Sequence, residues 1–313
     1  MEEILFNEYG VNLDAKVTKM SKENRNDVWK VETEGQKFVL KEANIKTRER
    51  AEYLINIENR LIDISPKIVK NKSGKQYIII NKKYYIMFEF EEGKQYNREN
   101  IPTDLIENIG TFLGIMHRKL RNITEENRNN QNSLLNISYP NLQIMNRLIE
   151  ENNSNKEFIE LIKNKIKVLS EYNYEDLLRQ MLNRRKQIIH GDFYLGNLIF
   201  GKEIKAIDYE QAGLFYKEYE FAHAVFMICY NSNADDATNF EKIRMFAREY
   251  KKEERIDVEF AVDLFIYSLA NSLYCFEKWK DETTEQREYA LYRCNLLLWV
   301  KKNKETIIKL LRG

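Results

Sequence analysis

Short stretches of alternating apolar and polar residues fill the first ninety positions of this chain. Three of them, "AKVTKMS", "DVWKVETEG" and "QKFVLKEA", are rich in β-branched and aromatic residues, which favour strands. A turn at Glu34-Gly35 joins the second and third stretches into a predicted hairpin. Two more strands are predicted in "KIVKN" and "QYIIINKKYYIMFEF". The pattern therefore predicts a small lobe built mainly of strands.

One helix interrupts these strands. The segment "TRERAEYLINIENRLID" repeats its apolar residues at helical spacing, and Ser65-Pro66 ends it. Its predicted buried stripe contains one acid among the apolar residues: Ala51, Leu54, Ile55, Glu58, Leu61 and Ile62.

Helical periodicity dominates from about Thr103 onward. The segment "TDLIENIGTFLGIMHRKL" is predicted as a helix with Thr103 at its N-cap. A polar passage follows, then a long helical region from about 155 to 185, a strand pair "NLIF" and "EIKAID", and more helices after Glu220. The sequence as a whole predicts an α+β protein.

Composition narrows the classes of function. The chain has 313 residues with 50 basic and 49 acidic side chains, a net charge of +1, which provides no overall field for nucleic acid or an anionic membrane. No apolar run approaches the roughly 18 residues that span a bilayer, and the N-terminus lacks the basic region of a secretory signal. The three cysteines have no metal-ligand spacing and are predicted to be buried reduced thiols. We expect a cytoplasmic protein without nucleic-acid or membrane partners; its oligomeric state stays open.

The stretch "IIHGDFYLGNLIF" (188–200) contains an aspartate and an asparagine, whose side-chain oxygens can take part in phosphoryl transfer. Asp192 and Asn197 lie five residues apart in a tight loop, and Asp208 ends the strand pair that follows. Phosphoryl transfer needs a carboxylate to orient the attacking hydroxyl and hard oxygen ligands for Mg²⁺ beside the phosphates. The pattern predicts Asp192 as the catalytic base and Asn197 and Asp208 as Mg²⁺ ligands.

A lysine completes this set. Lys41 ends the apolar strand "FVLK", from which it could reach the α- and β-phosphates of ATP. The next helix could supply its acidic partner. Glu58 is favoured because it shares the apolar stripe, where an unpaired carboxylate would be costly, and Glu49 and Glu52 are the alternatives.

These residues carry a family resemblance. "HGDFYLGN" followed by "IDYE" resembles the signature of the aminoglycoside phosphotransferase and choline kinase superfamily, the small-molecule branch of the protein-kinase-like fold. The resemblance implies a bilobal α+β fold with a small antiparallel β N-lobe and a larger, mostly helical C-lobe. Residues 1–90 would form the nucleotide-binding lobe, and residues 91–313 the lobe with the catalytic loop and acceptor pocket.

The same resemblance implies a nucleotide site. "YIMFEFEEG" is similar to the hinge strand of the family, and this implies that backbone groups around Met87, Phe88, Glu89 and Phe90 hold adenine. The nucleotide loop should lie at 20–26, "MSKENRN", which contains no glycine to let the backbone approach phosphates. Either three polar side chains, Ser21, Asn24 and Asn26, would contribute instead, or the loop would lie further from the phosphates.

The predicted function is an ATP- and Mg²⁺-dependent phosphotransferase acting on a hydroxyl of a small molecule. An amino alcohol, a sugar and an aminoglycoside are all possible acceptors, and the balanced net charge disfavours the polycationic aminoglycosides. ATP is not distinguished from GTP. The alternative is a non-catalytic or structural kinase-like protein, such as a spore-coat-associated member. The glycine-free loop favours that alternative, and the intact set of Lys41, Asp192, Asn197 and Asp208 opposes it.

Overall fold

The computed structural model describes residues 2–12, 14–20, 26–121, 123, 138–277, 279 and 283–313. The chain forms two compact units, of which the first comprises residues 1–96, 119–132 and 190–213 and the second comprises residues 97–118, 133–189 and 214–313. The catalytic loop predicted at 190–197 thus belongs to the unit that contains the N-terminal strands. A domain boundary between residues 90 and 91 stays a prediction.

Eleven helices and nine strands are assigned within the described residues. In chain order they are α1 (Glu2–Tyr9), β1 (Lys16–Lys19), β2 (Val28–Glu32), β3 (Lys37–Ala43), α2 (Arg48–Arg60), β4 (Ile78–Ile80), β5 (Lys83–Glu89), α3 (Thr103–Leu120), α4 (Leu142–Glu151), α5 (Lys156–Ser170), α6 (Tyr174–Leu182), β6 (Gln187–Ile189), β7 (Leu198–Phe200), β8 (Ile204–Ala206), β9 (Gly213–Phe215), α7 (Lys217–Cys229), α8 (Asp236–Glu253), α9 (Val258–Asn271), α10 (Thr284–Lys302) and α11 (Lys304–Arg312).

A five-stranded antiparallel sheet forms the centre of the first unit, in the order β1-β2-β3-β5-β4. The hairpin predicted at Glu34-Gly35 is confirmed, since it joins β2 to β3. The long strand predicted at 76–90 instead turns back on itself at Asn81 and Lys82, whose φ values are +49° and +66°. The stretch "KIVKN" contributes only a bridge between Ile68 and Phe88.

Two helices belong to the N-terminal part of this unit. α1 was not predicted, and its Leu5 joins the core of the sheet with Val31, Leu40 and Met87. α2 was predicted, and it begins at Thr47, whose side chain accepts a hydrogen bond from the amide of Arg50. The predicted stripe is buried except for Ile62, which is 52% exposed because α2 ends at Arg60.

The second unit is mostly helical. α3 is confirmed, and its predicted stripe is buried: Ile106, Ile109, Phe112, Leu113 and Met116. Gly110 and Gly114 let α3 pack closely on α8, since a Cβ on Gly110 would lie 2.3 Å from the carbonyl oxygen of Phe246. The helical region predicted from 155 to 185 is two helices, α5 and α6, and α4 was not predicted.

A buried polar cluster lies inside the second unit. His117 Nε2 lies 2.9 Å from a carboxylate oxygen of Glu220, and its Nδ1 lies 2.8 Å from the hydroxyl of Tyr250. All three side chains are almost fully buried, so they satisfy one another's hydrogen-bonding groups. The cysteines at 229, 275 and 294 are buried thiols, as predicted. Among the described residues, no helix is both long enough and apolar enough to cross a membrane.

Candidate active site

A lysine and two acids form the charged centre of the first unit. Lys41 Nζ, on β3, lies 2.8 Å from Asp208 Oδ1 and 2.8 Å from Glu210 Oε1. Burial by itself would lower the pKa of Lys41, but the charges of Asp208 and Glu210, together with the hydrogen bond to Asp208, raise it above its usual value. Lys41 is therefore a cation that neutralises part of the charge of two carboxylates.

Asp208 adopts a backbone conformation that few residues other than glycine accept. It follows β8 with φ +69° and ψ +60°, and a 3-10 turn over Tyr209–Gln211 comes next. Its neighbours are anchored within the same unit: His190 Nε2 donates to the carbonyl of Ile207 at 3.0 Å, and the hydroxyls of Ser65 and Tyr209 lie 2.7 Å apart. The surrounding contacts thus fix a strained residue in the middle of the charged cluster.

The loop before β7 holds the predicted catalytic base. Gly191 has φ +84°, and a Cβ at this position would lie 2.2 Å from the carbonyl oxygen of Gln211, so only glycine fits without a shift of the backbone. His190 is fully buried, and its Nδ1 accepts a hydrogen bond of 3.3 Å from the amide of Asp192. His190 therefore supports the loop from inside.

Asp192 and Asn197 contact each other directly. The side-chain nitrogen of Asn197 donates to the backbone oxygen of Asp192 at 2.8 Å and to its carboxylate oxygen Oδ2 at 3.0 Å. These bonds hold the Asp192 carboxylate in one orientation. Because the amide nitrogen of Asn197 faces Asp192, a cation would be bound through its carbonyl oxygen Oδ1.

Glu58 lies near the cluster without pairing to Lys41, contrary to the prediction. Burial raises the pKa of Glu58 to about 8, a shift that the charge of Lys41 opposes and that Asp208 and Glu210 reinforce. Its side chain is buried, and the ion pairs of Lys41 are with Asp208 and Glu210 instead. The alternatives Glu49 and Glu52 are exposed, and Glu52 pairs with Arg48 at 2.7 Å.

Sequence reasoning did not assign Glu210 to Lys41. The side chains of Asp208 and Glu210 come from a segment about 170 residues further along the chain than β3, and helical or strand periodicity says nothing about such a distant pairing. The one signal was the position of Glu210 two residues after the predicted metal ligand, in "IDYE".

The donor set fits a magnesium ion. Two carboxylates and one amide oxygen, from Asp208, Glu210 and Asn197, are the hard oxygen ligands that Mg²⁺ prefers. The acids already accommodate one positive charge, the ammonium of Lys41. No group of three or more His, Cys, Asp or Glu with metal-binding geometry occurs in the described part of the chain. The protein would therefore supply only some of the ligands, as is usual for Mg²⁺ bound together with phosphates.

The predicted adenine segment is largely engaged within its own sheet. The carbonyl of Met87 accepts from the amide of Val69 at 2.8 Å, and the amides of Glu89 and Phe90 donate to the carbonyls of Lys67 and Lys37 at 2.9 and 3.0 Å. A role of Met87 to Phe90 in adenine binding stays a prediction. It is restricted to the groups that do not form these three hydrogen bonds. Asn26 is half-buried just before β2, and Ser21 and Asn24 lie outside the described residues.

The α+β fold and the match to a family of phosphotransferases identify a small-molecule kinase, as the sequence predicted. The model of the phosphotransferase enzyme family (APH) matches residues 16–251. The chain therefore belongs to this family. Among curated proteins, none matches the sequence.

Solved structures share the kinase-like fold over nearly the whole chain. A microcompartment-associated aminopropanol kinase is 15% identical with a TM-score of 0.68, and the match covers 99% of this chain and 98% of that one. An amicoumacin kinase in complex with AMP-PNP and Ca²⁺ is 13% identical with a TM-score of 0.64, covering 94% and 91%. The ethanolamine kinase of Plasmodium vivax is 18% identical with a TM-score of 0.58, covering 91% and 83%. At these identities the likeness establishes the fold.

Proposed function

We propose that this chain is an ATP- and Mg²⁺-dependent kinase that phosphorylates a hydroxyl of a small molecule. The observation that carries the proposal is the ion-pair cluster of Lys41 with Asp208 and Glu210, in the same compact unit as the contact between Asp192 and Asn197. A cationic side chain, carboxylates for a cation and an oriented carboxylate base are the parts that phosphoryl transfer requires. The family match and the nucleotide analogue bound by the amicoumacin kinase support the same conclusion.

Asp192 is the proposed catalytic base. Its carboxylate takes the proton of the acceptor hydroxyl as the hydroxyl oxygen forms a bond to the γ-phosphorus, while the bond between that phosphorus and the β,γ-bridging oxygen breaks and ADP leaves. Asn197 holds one carboxylate oxygen of Asp192, so the proton is accepted at a group of fixed orientation. Positioning of this kind supplies most of the rate gain in phosphoryl transfer.

The remaining polar residues bind the nucleotide. Lys41 would contact the α- and β-phosphates, and Asn197, Asp208 and Glu210 would hold Mg²⁺, which would supply positive charge to offset that of the phosphates. The remaining groups of Met87, Phe88, Glu89 and Phe90 contact the adenine. Ser21 and Asn26 are the proposed contacts of the nucleotide loop.

The acceptor is proposed to be an amino alcohol, with sugars and aminoglycosides as the other classes to test. Two of the structural relatives are an aminopropanol kinase and an ethanolamine kinase, and the first matches 99% of this chain. The buried thiols of the three cysteines suit the reducing environment of the cytoplasm, which is the proposed compartment.

A screen of ATP consumption tests the proposal. The acceptors are aminopropanol, ethanolamine, choline, homoserine, sugars, thioribose derivatives, thiamine and aminoglycosides, each with Mg²⁺. On the acceptor that works, Asp192→Asn should lower kcat about 10²- to 10⁴-fold, since it removes a general base. The fold and the affinity for MgATP should be retained.

Asp63→Asn provides the matched control, because Asp63 is an exposed aspartate of the same unit that pairs with Lys119 at 2.5 Å. This variant should turn over at the wild-type rate. Wild-type kcat in Asp192→Asn would show that another group accepts the proton. Binding of MgATP without turnover of any acceptor would favour the non-catalytic alternative.

A further inference from the structure

Arg50 links helix α2 to the turn that carries the two acids. It is the third residue of α2, and its Nη2 donates to the backbone carbonyls of Glu210 and Ala212, both at 2.8 Å. The guanidinium carbon lies 5.2 Å from the ring centroid of Tyr53, one helical turn further on. The backbone amide of Arg50 bonds to the side chain of Thr47 at 3.2 Å. Both ends of this residue are therefore held before the guanidinium meets the turn.

The backbone carbonyl of Gln211, between Glu210 and Ala212 in sequence, is confined by a different part of the unit. The oxygen of Gln211 lies where a Cβ on Gly191 would be only 2.2 Å away, so it abuts the loop that carries Asp192. Three successive carbonyls, at 210, 211 and 212, are thus restrained, two by α2 and one by the catalytic loop. The backbone of the turn has little freedom to rotate.

The side chains at this turn need such restraint. Asp208 precedes the turn in a left-handed conformation, which persists only where the surrounding structure enforces it. Glu210 lies inside the turn. Its backbone carbonyl accepts a hydrogen bond from Arg50, and its carboxylate contacts Lys41. A shift of the turn would move both carboxylates together.

We infer that Arg50 is a positioning residue for cation binding. It touches neither nucleotide nor metal in this role; it fixes the turn so that Asp208 and Glu210 present their carboxylates together. A planar guanidinium suits two adjacent acceptors, whereas the ammonium of lysine is a single compact donor group. The inference rests on the proposed function, in which these acids hold the nucleotide-bound Mg²⁺.

Titration calorimetry with two ligands, MgATP and ATP plus a chelator, tests the inference. Arg50→Ala should weaken MgATP binding about tenfold, the change expected when a hydrogen bond from a charged group is lost. The affinity for metal-free ATP should stay within about twofold of wild type, since the turn serves the cation. Arg50→Lys should give an intermediate loss. Arg48→Ala is the matched control, because Arg48 lies on the same helix, is exposed and pairs with Glu52 four residues further along the helix.

If Arg50 had a purely structural role, Arg50→Ala would lower the affinities for MgATP and for metal-free ATP by the same factor. That result would overturn the inference. Wild-type affinity for MgATP in Arg50→Ala would also overturn it. Should Arg50→Ala fail to fold, Arg50→Lys carries the test, because it keeps the charge and one donor group. A wild-type protein that binds no MgATP would refute the proposed function, and this inference with it; failure of the inference alone leaves wild-type binding intact.

Discussion

Gly191 is the single residue whose replacement should disturb the candidate site most directly. Its φ of +84° disfavours any side chain, and a Cβ would meet the carbonyl oxygen of Gln211 at 2.2 Å. Gly74 offers a matched control, since its φ is +81° but a Cβ there would meet no atom within 4 Å. Gly74→Ala should therefore report the conformational cost alone, about 1 kcal/mol.

Gly191→Ala should lower the free energy of unfolding by clearly more than Gly74→Ala, by about 2 kcal/mol or more in total, because the turn or the loop must move. Urea denaturation of the two variants measures the difference. Equal losses in both would mean that the loop yields easily to the added methyl group. The importance attributed here to close contact between residues 191 and 211 would then be wrong.

Glu58 should make stability depend on pH. An unfolded chain releases this proton near the ordinary glutamate value of 4.5, whereas burial raises the pKa in the folded protein to about 8. The folded state thus binds more protons between these pH values, so this residue's contribution to the free energy of unfolding falls as pH rises through that window. Glu58→Gln cannot ionise. The stability of this variant relative to wild type should increase from about pH 5 to about pH 9.

Chemical denaturation of both proteins at several pH values gives this difference, in which the titrations of all other groups largely cancel. Glu52→Gln makes the same chemical change at an exposed position of α2. The difference in free energy of unfolding between this variant and wild type should not increase from about pH 5 to about pH 9. A constant difference between Glu58→Gln and wild type would show that Glu58 is ionised in the folded protein.

The polar site residues could be selected from the sequence because their chemistry is specific and their local spacing is short. Asp192 and Asn197 are five residues apart, and they are in contact. The partner of Lys41 could not be found in the same way. Helical periodicity correctly placed Glu58 on the buried face of α2, where burial raises the pKa of its carboxyl, but Lys41 pairs with Asp208 and Glu210 instead. Which acid meets the lysine depends on the turn after β8, a tertiary feature.

At the scale of elements, the sequence predicted those with strong periodicity or clear end signals. The β2–β3 hairpin, α2 and α3 were all of this kind. The turn at Asn81 and Lys82 was missed because both residues adopt positive φ without a glycine, the usual marker of such a turn. α1 and α4 were missed as well. The break between α5 and α6 was missed because an asparagine cap, Asn173, starts the second helix without a proline or glycine before it.

Two elements bring the site residues together within the first unit. β3 supplies Lys41, and α2 supplies both the buried carboxyl of Glu58 and the guanidinium of Arg50. Movement of α2 would therefore change the environment of Lys41 and the position of the turn at 210–212 at the same time. Helical periodicity predicts neither of these two contacts of α2, because it identifies the buried face of a helix but not the residues that pack against that face.

At the scale of the whole molecule, the family and the fold class could be predicted from the sequence. The motif residues occur in the chain order typical of one family, and that family has one fold. The family model matches 16–251, which includes every predicted site residue. The extent of the compact units was less accessible. Residues 190–213 are distant in sequence from the N-terminal strands, yet their contacts group them with those strands. Hydrophobic periodicity reports local structure and cannot reveal such long-range grouping.

The stability of the whole chain should respond more strongly to nucleotide when Mg²⁺ is present than when it is chelated. A ligand present at 100 times its Kd stabilises the folded state by about 2.7 kcal/mol, which raises Tm by about 4 °C in a chain of this size. Asp208→Asn should abolish most of the shift with MgATP, because it removes a carboxylate ligand while asparagine still accepts the left-handed backbone found at φ +69°. Differential scanning fluorimetry with MgATP and with ATP plus a chelator measures both effects, and Asp63→Asn, exposed and in the same unit, should shift like wild type. An equal shift with and without the chelator would show that the acids at 208 and 210 serve Lys41 alone and do not hold a metal.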